Sequence, residues 1–121
     1  MGDNQKTLND DSVQVLTVVV PVYNEEEVLL DFHRRLAAVL DGLTLQSEII
    51  YVNDGSVDGS LNQMRQIKAE DDRVAIIDLS RNFGKEIAMT AGMDHAHGDA
   101  VVVIDADLQD PPELIPKMIE G

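Results

Sequence analysis

Two aspartates near the end of the sequence, Asp105 and Asp107, are spaced for chemistry with a divalent metal ion. In an extended backbone, residues i and i+2 point to the same side, about 6–7 Å apart, so that both carboxylates can reach one ion. Mg²⁺ and Mn²⁺ prefer such oxygen ligands and accept a diphosphate in the same coordination shell. Gln109, two residues further on, can add a carbonyl oxygen. The alternative is a solvated turn in which Asp110 caps a helix.

Polar residues also interrupt the sequence at three earlier places, each directly after a run of apolar residues. These segments are Pro21–Glu25, Asn53–Ser60 and Ser80–Glu86. In the second segment, Asp54 followed by Gly55 suits a tight turn. It equally suits a carboxylate that accepts hydrogen bonds from a nucleobase or a ribose hydroxyl. The segment contains neither a G-x-G-x-x-G dinucleotide motif nor a P-loop.

Few cations accompany these carboxylates. Lys85 and Arg81 lie near the predicted start of a helix, where they can face a diphosphate together with the helix N-terminus. The alternative is a surface ion pair with Glu86 or Asp78. Tyr23 can pack on a base or serve as a partly buried turn residue. The histidines show no metal-ligand spacing and are predicted to lie on helix surfaces: His33, His95 and His97.

The elements that must position these residues alternate between strands and helices. Continuous β-branched and apolar runs predict strands at Val15–Val20, Glu48–Val52, Val74–Leu79 and Ala100–Ile104. Apolar residues at helical spacing predict helices at Glu25–Leu40, Asp58–Ala69, Gly84–Ala96 and Pro111–Ile119. This alternation predicts an α/β protein with a Rossmann-like open parallel sheet and helices on both faces. Because parallel strands end at one edge, the four polar segments are expected to converge there.

Composition limits the class of protein. With 121 residues the chain is long enough for one domain, predicted over residues 13–121 after a flexible acidic tail at residues 1–12. A net charge of −14 disfavours binding to nucleic acid or to anionic lipid. The absence of cysteine excludes disulfides and thiolate chemistry. No signal peptide or membrane-spanning run is visible, so this stretch is expected to be soluble.

Taken in order and with their spacing, four segments resemble the family 2 glycosyltransferases of the GT-A fold. The segments are Pro21–Glu25, Val52–Ser56, Ser80–Glu86 and Asp105–Glu113. The Asn-Phe-Gly-Lys-Glu and Asp-Leu-Gln-Asp-Pro-Pro stretches point to the polyprenyl-phosphate branch, which includes dolichol-phosphate mannose synthases and bacterial undecaprenyl-phosphate glucosyltransferases. The resemblance covers residues 15–121 and implies the N-terminal, nucleotide-binding half of a GT-A fold.

The resemblance implies roles for the candidate residues. The nucleotide-binding residues are expected to be Pro21, Val22, Tyr23, Glu25, Asp54, Lys85 and Asp105. The metal ligands are expected to be Asp105, Asp107 and Gln109, with Asp107 as the catalytic residue and Mg²⁺ or Mn²⁺ as the cofactor.

The resemblance also implies a reaction, which is inverting transfer of glucose or mannose from a nucleoside-diphosphate sugar to a polyprenyl phosphate. UDP-glucose is the favoured donor and GDP-mannose the next, and the expected location is the cytoplasmic face of a membrane. Family members continue past the position of Gly121 with an acceptor part and often with membrane helices. We therefore expect this stretch to bind donor weakly and not to turn over alone.

Other functions are consistent with parts of the pattern. A glycosyltransferase of the same family can act on a saccharide acceptor instead. A nucleotidyltransferase would need a glycine-rich basic loop where Pro21–Glu26 stands. An acidic divalent-cation-binding module without catalysis would bind metal without nucleotide, but the Asp54–Ser60 run lacks the EF-hand register. A receiver-like domain with an acidic pocket would also show βα alternation.

Overall fold

A parallel sheet of four strands forms the centre of the protein in the computed structural model, which describes residues 14–107 and 111–120. The strands are β1 (Val15–Val22), β2 (Gln46–Asn53), β3 (Val74–Asp78) and β4 (Ala100–Val103). Their order in the sheet is β3-β2-β1-β4, and all three neighbouring pairs are parallel. The predicted parallel α/β sheet is therefore confirmed. The tail predicted for residues 1–12 lies outside the described residues.

The order in which strands are added to the sheet changes direction at β1. From β1 the chain moves to β2 and β3 on one side, and then returns to place β4 on the other side of β1. The strand order therefore has a topological switch point between β1 and β4, where a crevice forms at the carboxyl ends of the strands. Ligands of open α/β sheets bind in such crevices.

Helices cover both faces of the sheet, as predicted. They are α1 (Leu29–Asp41), α2 (Ser60–Glu70), α3 (Lys85–Asp94) and α4 (Ile115–Glu120), the last preceded by a 3-10 turn at Pro112–Leu114. On one face, buried Phe32 of α1, Met64 of α2 and Ile115 of α4 pack against the sheet in one apolar cluster. On the other face, Ala88 of α3 packs against Val19. The central strands are thus buried on both sides.

Two predicted helix boundaries are wrong. α1 begins at Leu29 rather than at Glu25, because residues 26–28 form a turn and the backbone before it is left-handed at Asn24, with φ of 54°. The last helix, predicted from Pro111, starts as the 3-10 turn and becomes α-helical at Ile115. Pro112 forces Pro111 into an extended conformation, since the residue before a proline avoids the helical region.

A glycine lets α3 approach the sheet closely. Gly92 is buried, and a Cβ added there would lie 2.3 Å from Cγ1 of Val19 and 3.2 Å from Cγ2 of Val52. Because interiors are close-packed, an added methyl group would push Val19 of β1 and Val52 of β2 out of their present positions. Gly92 thus sets the distance between α3 and the strands that end at the crevice.

A partly buried hydrogen-bonded network lies on the opposite face. The Nδ1 atom of His33 is 2.7 Å from the Tyr51 hydroxyl oxygen, and its Nε2 atom is 3.0 Å from Oδ2 of Asp71. Hydrogen bonds from Arg73 lower the pKa of Asp71 to about 2, so its carboxylate is an acceptor at neutral pH. Neutral His33 must then donate from Nε2 and accept the Tyr51 hydroxyl at Nδ1. The predicted surface position of His33 is wrong, since the helical spacing alone does not reveal a partner beside α1.

We expect Gly92→Ala to lower the free energy of unfolding by about 1–3 kcal/mol, because the added methyl group overpacks the contact with Val19. Gly42→Ala is the matched control, since the nearest heavy atom to its added Cβ is 3.5 Å away and its φ is −84°. Urea denaturation measures both. Equal stability of Gly92→Ala and the wild-type chain would contradict the close packing of α3.

The His33 network predicts a loss of stability in mild acid. Burial lowers the pKa of His33 below its ordinary value of 6.5, against the opposing effect of its hydrogen bond to Asp71. The unfolded chain therefore takes up a proton at a higher pH than the folded chain, and the unfolding free energy falls as the pH drops from about 7 to about 5. His33→Gln should be less stable at neutral pH and show a shallower fall. Parallel slopes in urea denaturation across this range would contradict the assignment.

Candidate functional site

The residues singled out in the sequence meet at the carboxyl edge of the sheet. A cavity of about 170 Å³ opens there between the segments that follow β1, β2 and β4 and the start of α3. It is lined by Pro21, Val22, Tyr23, Glu25, Asp54, Lys85, Asp105 and Asp107. These are all the predicted site residues except Gln109, which lies outside the described residues.

The segments after β1 and β2 hold each other through reciprocal hydrogen bonds. The backbone N–H of Asn24 donates to Oγ of Ser56 at 2.9 Å, and the N–H of Val57 donates back to Oδ1 of Asn24 at 2.8 Å. Asparagine is among the non-glycine residues that adopt the left-handed conformation most readily, as Asn24 does with φ of 54°. The turn that carries Tyr23 into the cavity is therefore tied to the neighbouring loop.

A second set of bonds fixes Glu25. Its backbone N–H donates to the hydroxyl of buried Ser60 at 2.9 Å. Beside it, the N–H of Glu26 donates to Oδ2 of Asp58 at 3.2 Å, and the N–H of Gly59 donates to Oε1 of Glu26 at 3.0 Å. With its backbone held in this way, the carboxyl group of Glu25 stays on the cavity side.

Asp54 lies at the floor of the cavity and is only 3% exposed. Its Oδ1 accepts the backbone N–H of Phe83 at 2.8 Å, and its Oδ2 accepts the N–H of Gly84 at 3.2 Å. The following residue, Gly55, has φ of 76°, and a Cβ there would lie 2.2 Å from the backbone nitrogen of Asn82. The loop after β2 is thus packed directly against the segment that leads into α3.

The two scarce cations lie in different places. Lys85, the first residue of α3, forms an ion pair with Oδ2 of Asp105 across the cavity. The predicted alternative partners, Glu86 and Asp78, are not part of this pair. Arg81 lies outside the cavity, with its guanidinium 4.7 Å from the centre of the Phe83 ring. Of the two cations proposed to face a diphosphate, only Lys85 lines this cavity.

Arg81 instead lines a neighbouring cavity of about 560 Å³ between the ends of β2 and β3. Tyr23, which is 48% exposed, lines both cavities and separates them. Asn53 and Asp78 form a hydrogen bond of 2.9 Å in the wall of the larger cavity, with the Asn53 amide as donor. The two cavities therefore share Tyr23 as a common wall residue.

Three carboxyl groups repel one another on the cavity side. Burial raises the pKa of Glu25, and the negative charges of Asp107 and Asp105 raise it further. The ligand atoms offered here are oxygens alone, which suits a hard divalent cation such as Mg²⁺ or Mn²⁺. Among residues 14–107 and 111–120, no group of three His, Asp or Glu side chains forms a complete metal site. An ion held here would need further oxygen ligands from outside these residues.

Residues 112–115 are anchored to α1. The guanidinium of Arg35 donates to both carboxylate oxygens of Glu113, at 3.0 Å from Nε and 2.5 Å from the second nitrogen. Buried Pro112 and Ile115 pack on the same side of the sheet. The chain is thereby held by β4 before the carboxylate pair and by α1 from residue 112 onward.

The sequence reasoning missed these supporting contacts. The Asn24–Ser56 and Arg35–Glu113 bonds join residues 32 and 78 positions apart. Residues of these types are also common on solvated surfaces, so nothing in the local sequence distinguishes them. One local signal exists, since Ser56, Asp58 and Ser60 are typical of turns and helix starts.

The described part of the chain contains no helix with the length and apolar character that crossing a membrane requires.

Two curated proteins are similar to most of this chain. The uncharacterized glycosyltransferase YkcC of Bacillus subtilis (strain 168) is 58% identical over 104 residues, which are 86% of this chain and 32% of that protein. The bactoprenol glucosyl transferase of Shigella phage SfV is 44% identical over 105 residues, 87% of this chain and 34% of that protein. The chain thus spans about a third of these relatives.

A solved structure shares the fold. Mannosyltransferase PcManGT from Pyrobaculum calidifontis, solved in complex with GDP-Man and Mn²⁺, superposes with a TM-score of 0.70 at 27% identity. The match covers 78% of this chain and 28% of that one. Residues 17–121 of this chain also match the sequence family described as glycosyl transferase family 2. Since that match covers nearly the whole chain, the protein belongs to glycosyl transferase family 2.

Proposed function

We propose that this chain is the donor-binding part of a glycosyltransferase that moves a hexose from a nucleoside-diphosphate sugar to a polyprenyl phosphate. The observation that carries the proposal is the meeting of Glu25, Lys85, Asp105 and Asp107 in one cavity at the topological switch point. The 44% identity to a bactoprenol glucosyl transferase supports the acceptor class and favours glucose as the sugar. UDP as the carrier of the glucose rests on the family resemblance. The likeness to a structure holding GDP-Man makes GDP-mannose the next candidate.

The size of the cavity limits what it holds. Small-molecule sites usually measure about 300–1,000 Å³, and this cavity has about 170 Å³. We therefore assign it part of the donor, namely the ribose and the diphosphate. Tyr23 and Pro21 provide apolar surface beside it, and the larger cavity that shares Tyr23 offers room for the base.

Asp105 and Asp107 would hold Mg²⁺ or Mn²⁺, with Gln109 as a further candidate ligand. The bound ion would neutralise the negative charge that develops on the departing diphosphate. Lys85 adds a positive charge at the same place, since its ammonium group already reaches the Asp105 carboxylate. Asp107, which is exposed at the cavity mouth, is the residue we propose as catalytic through this ion.

The transfer breaks the bond between the anomeric carbon and the donor phosphate oxygen, and the electron pair leaves with the nucleoside diphosphate. An oxygen of the acceptor phosphate forms the new bond to that carbon. A phosphate monoester has a second pKa near 6, so the acceptor is already an anion at neutral pH and needs no strong general base. Inversion at the anomeric carbon rests on the family resemblance.

The acceptor requires protein that the described residues do not supply. A net charge of −14 repels an anionic lipid phosphate, so basic residues elsewhere must bind it. We propose that this part lies in the roughly two thirds of the relatives' length that this chain does not span, and that it attaches the protein to the cytoplasmic face of a membrane.

Asp107→Ala should abolish Mn²⁺-dependent binding of UDP or GDP, because one of the two described carboxylates for the ion is lost. Asp72→Ala is the matched control, since it removes an exposed carboxylate just before the start of β3. This position is at the amino ends of the strands, whereas the cavity is at their carboxyl ends. Isothermal titration calorimetry measures the affinity. Unchanged Mn²⁺-dependent affinity in Asp107→Ala would refute the metal assignment, and Ca²⁺ binding without nucleotide would favour a cation-binding module.

The proposed donor predicts a ranking of nucleotides. In a thermal-shift screen of UDP, GDP, CDP and dTDP, we expect UDP with Mn²⁺ to raise the melting temperature most, and each nucleotide to have less effect without the ion. Stabilisation follows ligand occupancy, so the shift reports affinity. A larger shift with GDP would move the donor to GDP-mannose.

A further inference from the structure

We propose that Lys85 is a movable counter-ion that pairs with Asp105 until the donor binds, and so makes binding of the divalent ion depend on the nucleotide. In the protein alone, its ammonium group pairs with a carboxylate that the ion needs. In the complex, the donor diphosphate gives the ammonium group another anion to pair with. The inference rests on the proposed function, because it assigns Asp105 to the ion and Lys85 to the diphosphate.

Lys85 supplies positive charge to a strongly acidic cavity. Among the described residues that line the cavity, it is the cation beside the carboxyl groups of Glu25, Asp54, Asp105 and Asp107. Its ammonium group pairs with Oδ2 of Asp105. Two cations at one carboxylate repel each other strongly, because they are only a few ångströms apart. A divalent ion that binds Asp105 therefore has to displace the ammonium group.

Helix stability does not explain a lysine at this position. Lys85 is the first residue of α3, and the positive end of the helix dipole repels a cation at a helix N-terminus. Lysine is favoured in the last turn of a helix instead, where Lys68 lies in α2. The position of Lys85 therefore fits its partner Asp105 across the cavity better than it fits the helix.

The two partners differ in how easily they move. Asp105 lies between buried Ile104 and Ala106, and the N–H of Ile104 donates to the carbonyl oxygen of Val19 at 3.0 Å. The side chain of Asp105 is 22% exposed, whereas that of Lys85 is 58% exposed. A lysine ammonium group lies at the end of a flexible four-carbon chain, and ion pairs near the surface are weak. The ammonium group can therefore leave while the carboxylate stays in place.

A bound diphosphate changes the competition between the ion and Lys85. Within the described parts of the chain, no group of three His, Asp or Glu side chains could hold an ion. An ion without nucleotide therefore has few ligands with which to displace Lys85. The diphosphate supplies further oxygen ligands for the ion and a second anion for Lys85. Metal and nucleotide thus favour each other's binding, and this coupling is reciprocal.

Electron paramagnetic resonance of Mn²⁺ without nucleotide tests the inference on Lys85→Met. Loss of the competing charge should tighten Mn²⁺ binding about tenfold, whereas UDP binding at saturating Mn²⁺, measured by calorimetry, should weaken by about tenfold or more. Lys85→Arg keeps the charge and should keep the wild-type affinity for Mn²⁺. Unchanged or weaker Mn²⁺ binding by Lys85→Met would overturn the inference, and so would an equal gain in Lys85→Arg.

Lys68→Met is the matched control, since it makes the same chemical change at the amino ends of the strands. Nζ of Lys68 donates there to the carbonyl oxygen of Val74 at 3.2 Å, so Mn²⁺ affinity should be that of the wild type. The gain in Lys85→Met should vanish in an Asp105→Asn background, because it acts at that carboxylate. A gain in Lys68→Met, or one that persists in Asp105→Asn, would show a general charge effect and overturn the inference.

Nucleotide binding by the wild-type chain separates the inference from the proposed function. If this chain binds neither UDP nor GDP with Mn²⁺, the proposed function and the transfer of Lys85 to the diphosphate fall together. Tighter Mn²⁺ binding by Lys85→Met would then still show the competition for Asp105. If the wild-type chain binds UDP with Mn²⁺, but Lys85→Met binds Mn²⁺ alone no more tightly, the donor site stands and the role of Lys85 falls.

Discussion

The site depends on the backbone hydrogen bonds that pair β1 with β2 on one side and with β4 on the other. All of these pairs are parallel, so the three strands end at the same edge of the sheet. The register places Val22 beside Asn53, and the ladder between β1 and β4 ends where Val19 pairs with Val103. The segments that carry Glu25, Asp54 and Asp105 are therefore neighbours in space, although they are far apart along the chain.

Electrostatic repulsion is the cost of this convergence. The cavity brings together carboxyl groups of a chain whose net charge is already −14, and one result is the raised pKa of Glu25. Lys85 offsets part of the repulsion through its pair with Asp105. A cation that enters such a group of carboxylates relieves their repulsion and stabilises the site. This is consistent with a site that binds metal and donor together.

At the amino ends of the strands, aspartate and glutamate side chains form hydrogen bonds that hold the sheet together. Oδ2 of Asp99 accepts the backbone N–H groups of Gln14 and Val15, each at 2.9 Å. Glu48 accepts the hydroxyl of buried Thr17 and the N–H of His97, both at 2.6 Å. These carboxylates close the start of the sheet with hydrogen bonds, and their positions show that acidic composition by itself does not identify a site.

The sequence by itself determined the alternation of strands and helices, the parallel sheet and the residues that line the cavity. It could do so because buried strands need continuous apolar runs, and because parallel strands bring the polar segments after them to one edge. The tertiary structure alone decided the partner of Lys85, the partial burial of His33, the anchoring of the segment before α3 by Asp54, and the late start of α1. Each of these depends on contacts between residues distant in the chain, and local spacing carries no information about which side chains those contacts bring together.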